Sequence, residues 1–283
     1  MAQGNGRMIA ATGVSIDRGA QRIVDNVNLH FPPEHHEPNA GHPSVTGLVG
    51  PNGCGKTTLL KGLLGELPCA EGSVTIDGEP LARLSRRTIA QQLAIVIQED
   101  STSIPMTVAD LATLGRIPHN SAPLSAGGFR GERRRREEKI IVEALTAVGL
   151  RDKATHDLAR LSGGERQRAR IARAVAQRTP HLIMDEPTNH LDIRFQHDVL
   201  RLVRELSSTR RVASLIVLHD LNLAARYCDY VYVMDAGRIV AAGAPREVLT
   251  PEVLEPIYGI PITRVDVGGL PQLLFGEGGE AAP

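Results

Sequence analysis

The sequence predicts an α/β fold built on a mostly parallel sheet with helices on both faces, and three observations carry that expectation. Short apolar runs alternate with helical patterns through the C-terminal half of the chain. An earlier apolar run, Val45–Val49, enters a glycine-rich loop from which a helix starts near Lys56. A later run, Leu182–Met184, ends in two adjacent carboxylates, Asp185 and Glu186. Strands that alternate with helices are joined by crossovers, and crossovers lead to parallel pairing.

Taken in order, Met8–Ile16 and Arg22–Phe31 read as strands, followed by Val45–Val49. Ser73–Ile76 is a further strand, closed by the turn signal Asp77-Gly78. Leu93–Ile97 is another and stops at Gln98. Helical pattern dominates from Thr107 to Val148. Beyond Ser162 the order is helix Glu165–Gln177, strand Leu182–Met184, helix Arg194–Leu206, strand Val212–Leu218, helix Leu221–Arg226 and strand Tyr230–Met234. Thr250 and Pro251 mark a helix start, with threonine as N-cap and proline at the first helical position. Ile262–Val267 and Leu270–Leu274, joined by Gly268-Gly269, form an expected hairpin, and Gly276–Pro283 is expected to fray. There is no internal repeat.

Composition bounds the function. The 283 residues are 42% hydrophobic, enough for a substantial core, and 32 Lys plus Arg balance 32 Asp plus Glu. With no net field, nucleic acid is not an expected partner. The first seven residues lack the apolar stretch of a leader and no window is long and apolar enough for a membrane span, so a cytoplasmic location is expected. Cys54, Cys69 and Cys228 are too scattered for a disulfide framework or a zinc pair and read as structural. Within Ser121–Lys139, the run Arg133–Arg136 reads as a solvated helix start. Pro32–Ser44, with His35, His36 and His42 beside Glu34 and Glu37, reads as an exposed loop rather than a metal site.

Three stretches carry chemistry. Gly50-Pro51-Asn52-Gly53-Cys54-Gly55-Lys56-Thr57 fits the phosphate-binding pattern G-x-x-x-x-G-K-[ST]. Its glycines let backbone N–H groups curl around phosphate oxygens, its lysine reaches the β- and γ-phosphates and its hydroxyl meets Mg²⁺. Asp185 and Glu186 stand at the C-terminal end of an apolar strand, where open α/β sheets bind ligands. Asp185 there suits Mg²⁺ through its water shell, and Glu186 suits polarisation of an attacking water. Ser162-Gly163-Gly164-Glu165 has capping-box spacing. Two glycines in a first turn, each about 1 kcal/mol worse than alanine inside a helix, point to close backbone approach. A helix N-terminus prefers an anion.

In combination, the phosphate loop, Gln98 after a strand, Leu161-Ser-Gly-Gly-Glu-Arg-Gln167, Asp185-Glu-Pro-Thr188, Leu191-Asp192 and His219 after a strand resemble the ATP-binding subunits of ABC transporters over nearly the whole chain. The resemblance implies an ABC ATPase cassette with a RecA-like, mostly parallel sheet core, an N-terminal antiparallel β subdomain and a helical subdomain. It places the cassette at 7–250, with the helical subdomain inserted at about 99–165, and a C-terminal helix and hairpin at 251–283. It implies ATP bound by Gly50, Pro51, Asn52, Gly53, Cys54, Gly55, Lys56, Thr57 and Thr58, and Mg²⁺ served by Thr57, Gln98 and Asp185. Glu186 is the implied catalytic base and His219 the implied contact to the γ-phosphate. Ser162, Gly163, Gly164, Glu165 and Asp192 are the implied contacts across a head-to-tail homodimer, so a monomer should hydrolyse ATP poorly. Arg18 departs from the pattern, standing where the family places an aromatic ring on adenine. A guanidinium plane can also stack on a base.

His219-Asp-Leu-Asn-Leu-Ala-Ala-Arg-Tyr-Cys-Asp229, Gly115-Arg-Ile-Pro-His119 and the segment from Arg246 to Leu254 look like the importer branch that serves ferric siderophores, haem and cobalamin. A ferric siderophore is the expected cargo, with haem or cobalamin the alternative. In that branch a separate ATPase docks under two membrane permease subunits on the cytoplasmic side, fed by an external binding protein. The segment from Gln98 to about His119 is the implied permease contact. A soluble ABC ATPase of ribosome or DNA-repair type is disfavoured by the single phosphate loop and the lack of a heptad run. An exporter is disfavoured by the lack of a fused span.

Overall fold

The computed structural model describes residues 7–33, 45–97, 105–119, 130–189 and 191–276. The chain runs β1 (Ile9–Arg18), β2 (Gln21–Phe31), β3 (Val45–Val49), α1 (Lys56–Leu63), β4 (Glu71–Ile76), β5 (Glu79–Pro80), α2 (Arg86–Gln92), β6 (Leu93–Val96), α3 (Val108–Leu114) and α4 (Arg130–Ala147). It continues through α5 (Gly163–Gln177), β7 (His181–Asp185), α6 (Ile193–Arg210), β8 (Ala213–Val217), α7 (Leu221–Tyr227), β9 (Tyr230–Asp235), β10 (Arg238–Gly243), α8 (Pro245–Val248), α9 (Pro251–Tyr258), β11 (Ile262–Val267) and β12 (Leu270–Phe275). Two compact units result: Met1–Leu84 with Ser207–Pro283, and Ser85–Leu206. Gln98, the histidine-bearing segment 34–44, the segment 120–129 and residues 277–283 lie outside the described residues.

In the first unit, β2-β1-β4-β5 form an antiparallel sheet. Asp77 and Gly78 turn β4 into β5 with φ of 51° and 83°, the doubly left-handed backbone of a two-residue hairpin. The Asp77 carboxylate also accepts from the Met8 amide at 2.8 Å, fastening the start of β1. Four strands pair in the order β10-β9-β3-β8, with β3 parallel to both β8 and β9. β3 is buried at every residue, which is why Val-Thr-Gly-Leu-Val shows no alternation. Its glycine is required, because a Cβ on Gly47 would lie 2.8 Å from the Cys228 sulfur. The β11–β12 hairpin docks on α7 through Asn222. That side chain donates to the Leu273 carbonyl at 3.1 Å and accepts from the Leu273 amide at 2.7 Å. Thr250 takes the N-cap position of α9 but makes no side-chain capping bond, so Pro251, with its preset φ, is the effective start signal.

In the second unit, β6 and β7 pair in parallel. Both α3 and α5 open with complete capping boxes, Thr107 with Asp110 and Ser162 with Glu165. α3 and α4 pack on α5, whose inner face of Ala169, Ile171, Ala172 and Ala176 is buried. Gln177 donates to the Leu93 carbonyl at 3.0 Å, tying the end of α5 to β6. Position 115, the C-cap of α3, must be glycine, because a Cβ there would lie 2.2 Å from the Arg173 carbonyl oxygen. α3 ends there, and a 3-10 turn at Ile117–His119 follows. Buried Arg116 donates to Glu137 at 2.7 Å and to the Ala176 carbonyl at 2.8 Å. The arginines of Arg133–Arg136 are exposed, as a solvated helix start should be.

Candidate nucleotide site

The first unit carries the glycine loop. Strand β3 ends at Val49 and α1 begins at Lys56, so the loop turns at the C-terminal edge of a buried parallel strand. Gly50, Gly53 and Gly55 have φ of 151°, 81° and 109°, values a side chain rarely tolerates. Gly50 has a second constraint, since a Cβ there would stand 2.0 Å from the Met234 carbonyl oxygen. Gly53 faces open space within 4 Å of its would-be Cβ. The loop is braced from beneath by the β9–β10 turn, where the Gly237 amide donates to the Cys54 carbonyl at 2.9 Å.

Lys56 folds back over this loop. Its ammonium is buried and donates to the carbonyls of Gly50 at 2.8 Å and Pro51 at 2.9 Å. A fixed cation and a ring of backbone amides are fit to hold a phosphate chain. Thr57 is exposed at the first turn of α1 and Thr58 is buried under it. Burial pushes the Cys54 thiol up, against the pull of neighbouring Lys56, so the thiol stays protonated. His219 follows β8, whose end is tied to β3 by the Leu218 amide donating to the Leu48 carbonyl at 3.1 Å. It is exposed at the same strand edge as the loop. Asp220 caps α7 through bonds from the Asn222 and Leu223 amides. Arg18 is exposed at the end of β1.

The second unit holds the acidic turn and the capped helix. β7 delivers buried Asp185, and Glu186 follows with φ of 49°, a left-handed conformation costing roughly 1–3 kcal/mol for a residue with a side chain. That backbone sets the direction of the Glu186 carboxylate, which accepts a hydrogen bond from the Asn189 side chain. Gln167 and Gln196 donate to the Pro187 and Thr188 carbonyls, each at 3.4 Å, and so hold the turn from two helices. Asp192 accepts from the Phe195 amide at 3.0 Å and thus caps the start of α6. At α5 the Glu165 amide donates to Ser162 at 3.3 Å and the Ser162 amide to Glu165 at 3.0 Å. Lys153 holds the Glu165 carboxyl below its usual range. Gly163 has no atom within 4 Å of its would-be Cβ, which leaves the first-turn backbone open.

Three participants escaped the sequence reading. Asn189 steers Glu186, Gly237 braces the loop, and Tyr258 reaches the loop from α9. Only Asn189, within Asp-Glu-Pro-Thr-Asn, lies close enough in sequence to have been suspected.

A glycine loop with a buried lysine after a parallel strand, and a strand-end carboxylate pair beside a capped Ser-Gly-Gly helix, together define an ATP-binding cassette. Residues 39–189 match the ABC transporter family, and the chain belongs to that family and is an ATPase subunit. It is 38% identical over 260 residues to the hemin import ATP-binding protein HmuV of Pseudomonas fluorescens (strain Pf0-1), covering 90% of this chain and 94% of that protein. It is 36% identical over 260 residues to the ferric enterobactin transport ATP-binding protein FepC of Escherichia coli (strain K12), covering 91% of this chain and 90% of that protein. Its fold is similar to a dimeric bacterial ABC transporter cassette, with a TM-score of 0.70 at 25% identity over 84% of this chain and 99% of that one. Among the described residues no helix is long and apolar enough to cross a membrane.

Proposed function

We propose that this chain is the ATP-hydrolysing subunit of an importer for a ferric siderophore. It acts as a homodimer under two permease subunits on the cytoplasmic face of the inner membrane, supplied by an external binding protein. The observation that carries the nucleotide reading is Lys56, buried over a loop whose glycine geometry leaves its backbone facing open space at Gly53. In this reading Gly50–Thr58 bind the ATP phosphates, and Arg18 stacks on the base. Glu186, aimed by Asn189, takes the proton of the attacking water, and His219 contacts the γ-phosphate. Thr57, Gln98 and Asp185 serve Mg²⁺, whose role is to neutralise charge on the phosphates. Hydroxyl and carboxylate oxygens are the hard donors that ion requires. Ser162–Glu165 and Asp192 act on the nucleotide of the partner copy, and the open backbone at Gly163 supports that use. The cassette spans 7–250, and residues 251–283 extend it.

Similarity to the ferric enterobactin subunit supports the siderophore cargo. Haem is the second reading, supported by the similarity to the hemin import subunit. Copurification from the native host, followed by reconstitution with the associated permease and binding protein, separates the two. Hydrolysis stimulated by a loaded siderophore-binding protein supports the first reading, and stimulation by haem alone replaces it with the second. Recovery of the chain only in ribosomal or DNA fractions would overturn the transport reading.

A further inference from the structure

Ser162 and Gly163 at the start of α5 are exposed, and so is Asp192 just before α6. One side chain of the second unit joins these two places. Phe195, half-buried in the first turn of α6, donates its amide to the Asp192 carboxylate at 3.0 Å. Its ring carries the Arg168 guanidinium, whose central carbon stands 4.3 Å from the ring centroid. Arg168 lies four residues beyond Gly164 on α5 and so on the same face of that helix. From its other side Arg168 is fixed by donating to the Val148 carbonyl, just past α4, at 3.3 Å. A cation over a ring is attracted most where water is excluded, and the Arg168 Nε is sealed from solvent. The helix start rests on the same support, since a Cβ on Gly164 would lie 3.3 Å from the Leu191 side chain and 4.0 Å from the Phe195 ring.

Groups ordered before association lose less entropy when they bind. Resting on the reading of Ser162–Glu165 and Asp192 as contacts to the partner copy's nucleotide, we infer that Phe195 and Arg168 are positioning residues. Their stack joins the Ser-Gly-Gly turn to Asp192, so that both contacts meet the partner's nucleotide as one preset surface. The phosphate loop belongs to the first unit, so the stack bears on dimer formation and not on ATP binding by a single copy. The same packing gives Gly164 a role distinct from that of Gly163: the second glycine lets α5 sit on Leu191 and Phe195, and the first leaves the backbone open.

The test is a double-mutant cycle in the full chain carrying Glu186→Gln, with Phe195→Leu, Arg168→Met and the two combined. Two quantities are read: the dimer dissociation constant at saturating Mg-ATP, and the Kd for ATP at a dilution where the chain is monomeric. Phe195→Leu keeps an apolar side chain but loses the ring face, worth about fivefold for one such contact. With two stacks in a dimer, its dissociation constant should rise on the order of 25-fold. The Kd for ATP of the monomer should not change. Adding Arg168→Met to Phe195→Leu should weaken the dimer by less than Arg168→Met does alone, because the stack is already gone. A Phe195→Leu dimer as tight as its parent overturns the inference, and so do strictly additive effects in the cycle. A weaker Kd for ATP in the monomer also overturns it, since the substitution would then disturb the fold at large. If the Glu186→Gln parent forms no dimer with Mg-ATP, the reading of Ser162–Glu165 and Asp192 falls first and this inference with it.

Discussion

Replacing Gly50 by alanine should damage the loop far more than the same change at Gly53, although both lie in one motif and both have positive φ. At Gly53 the new methyl meets nothing within 4 Å, so the cost is the backbone term alone, roughly 1–2 kcal/mol. At Gly50 the methyl would stand 2.0 Å from the Met234 carbonyl oxygen and 3.0 Å from the Cys54 sulfur. Real contacts of this kind do not fall below 3.0 Å, so something must retreat by about 1 Å. Met234 is fully buried in β9, which leaves the loop to move. Overpacking of this sort adds about 1–3 kcal/mol, and an ångström of displacement at a reacting site costs on the order of 10²-fold in rate. Urea unfolding and ATP titration of the two variants give the comparison. Gly50→Ala should be less stable than Gly53→Ala by about 1–3 kcal/mol and bind ATP more weakly. Equal stability and equal affinity would refute the reasoning from close approach.

Lys56→Ala removes the cation over the loop and should abolish ATP binding in a titration; unchanged affinity would remove the phosphate-loop reading. Asn189→Ala removes one hydrogen bond that orients the Glu186 carboxylate and should lower kcat roughly tenfold or more, given the 10²–10⁴-fold worth of a well-placed base. The Kd for ATP should not change, and an unaltered kcat would show that the contact does not aim the carboxylate. Glu137→Gln should cost about 1–3 kcal/mol in urea unfolding at neutral pH, less than a fully buried pair because Glu137 is partly exposed. The hydrogen bond from Arg116 holds the Glu137 carboxyl below its ordinary 4.5. Its contribution is therefore complete above about pH 4.5 and lost as pH falls through the lowered value. The variant should lose less stability than wild type across that acid range, and parallel pH curves would contradict the assignment.

The elements legible in the sequence are those whose burial is one-sided or complete. β3, β7 and β8 are buried at every position and read as apolar runs. The capping box at Ser162 and the turn at Asp77-Gly78 are local chemistry that needs no tertiary context. What escaped lacks such a pattern. α2 has no buried residue and is held by its Ser85 cap, which accepts from the Thr88 amide at 3.1 Å. β10 is mostly half-buried or exposed, with small residues at its centre, so its pattern is faint. In the site, glycine spacing revealed the loop and strand-end carboxylates revealed the acidic turn. The left-handed Glu186 and the approach of Tyr258 to Gly50 could not be read, because both are set by tertiary packing rather than by neighbours in the chain.

The central claim, a nucleotide site completed by a second copy with Glu186 as its base, is tested most directly by the mass in solution of Glu186→Gln with and without Mg-ATP. The variant is expected to bind ATP, fail to hydrolyse it and accumulate as a dimer that reverts to monomer when ATP is removed. A variant that turns over ATP near the wild-type rate, or stays monomeric at saturating ATP, would contradict the account.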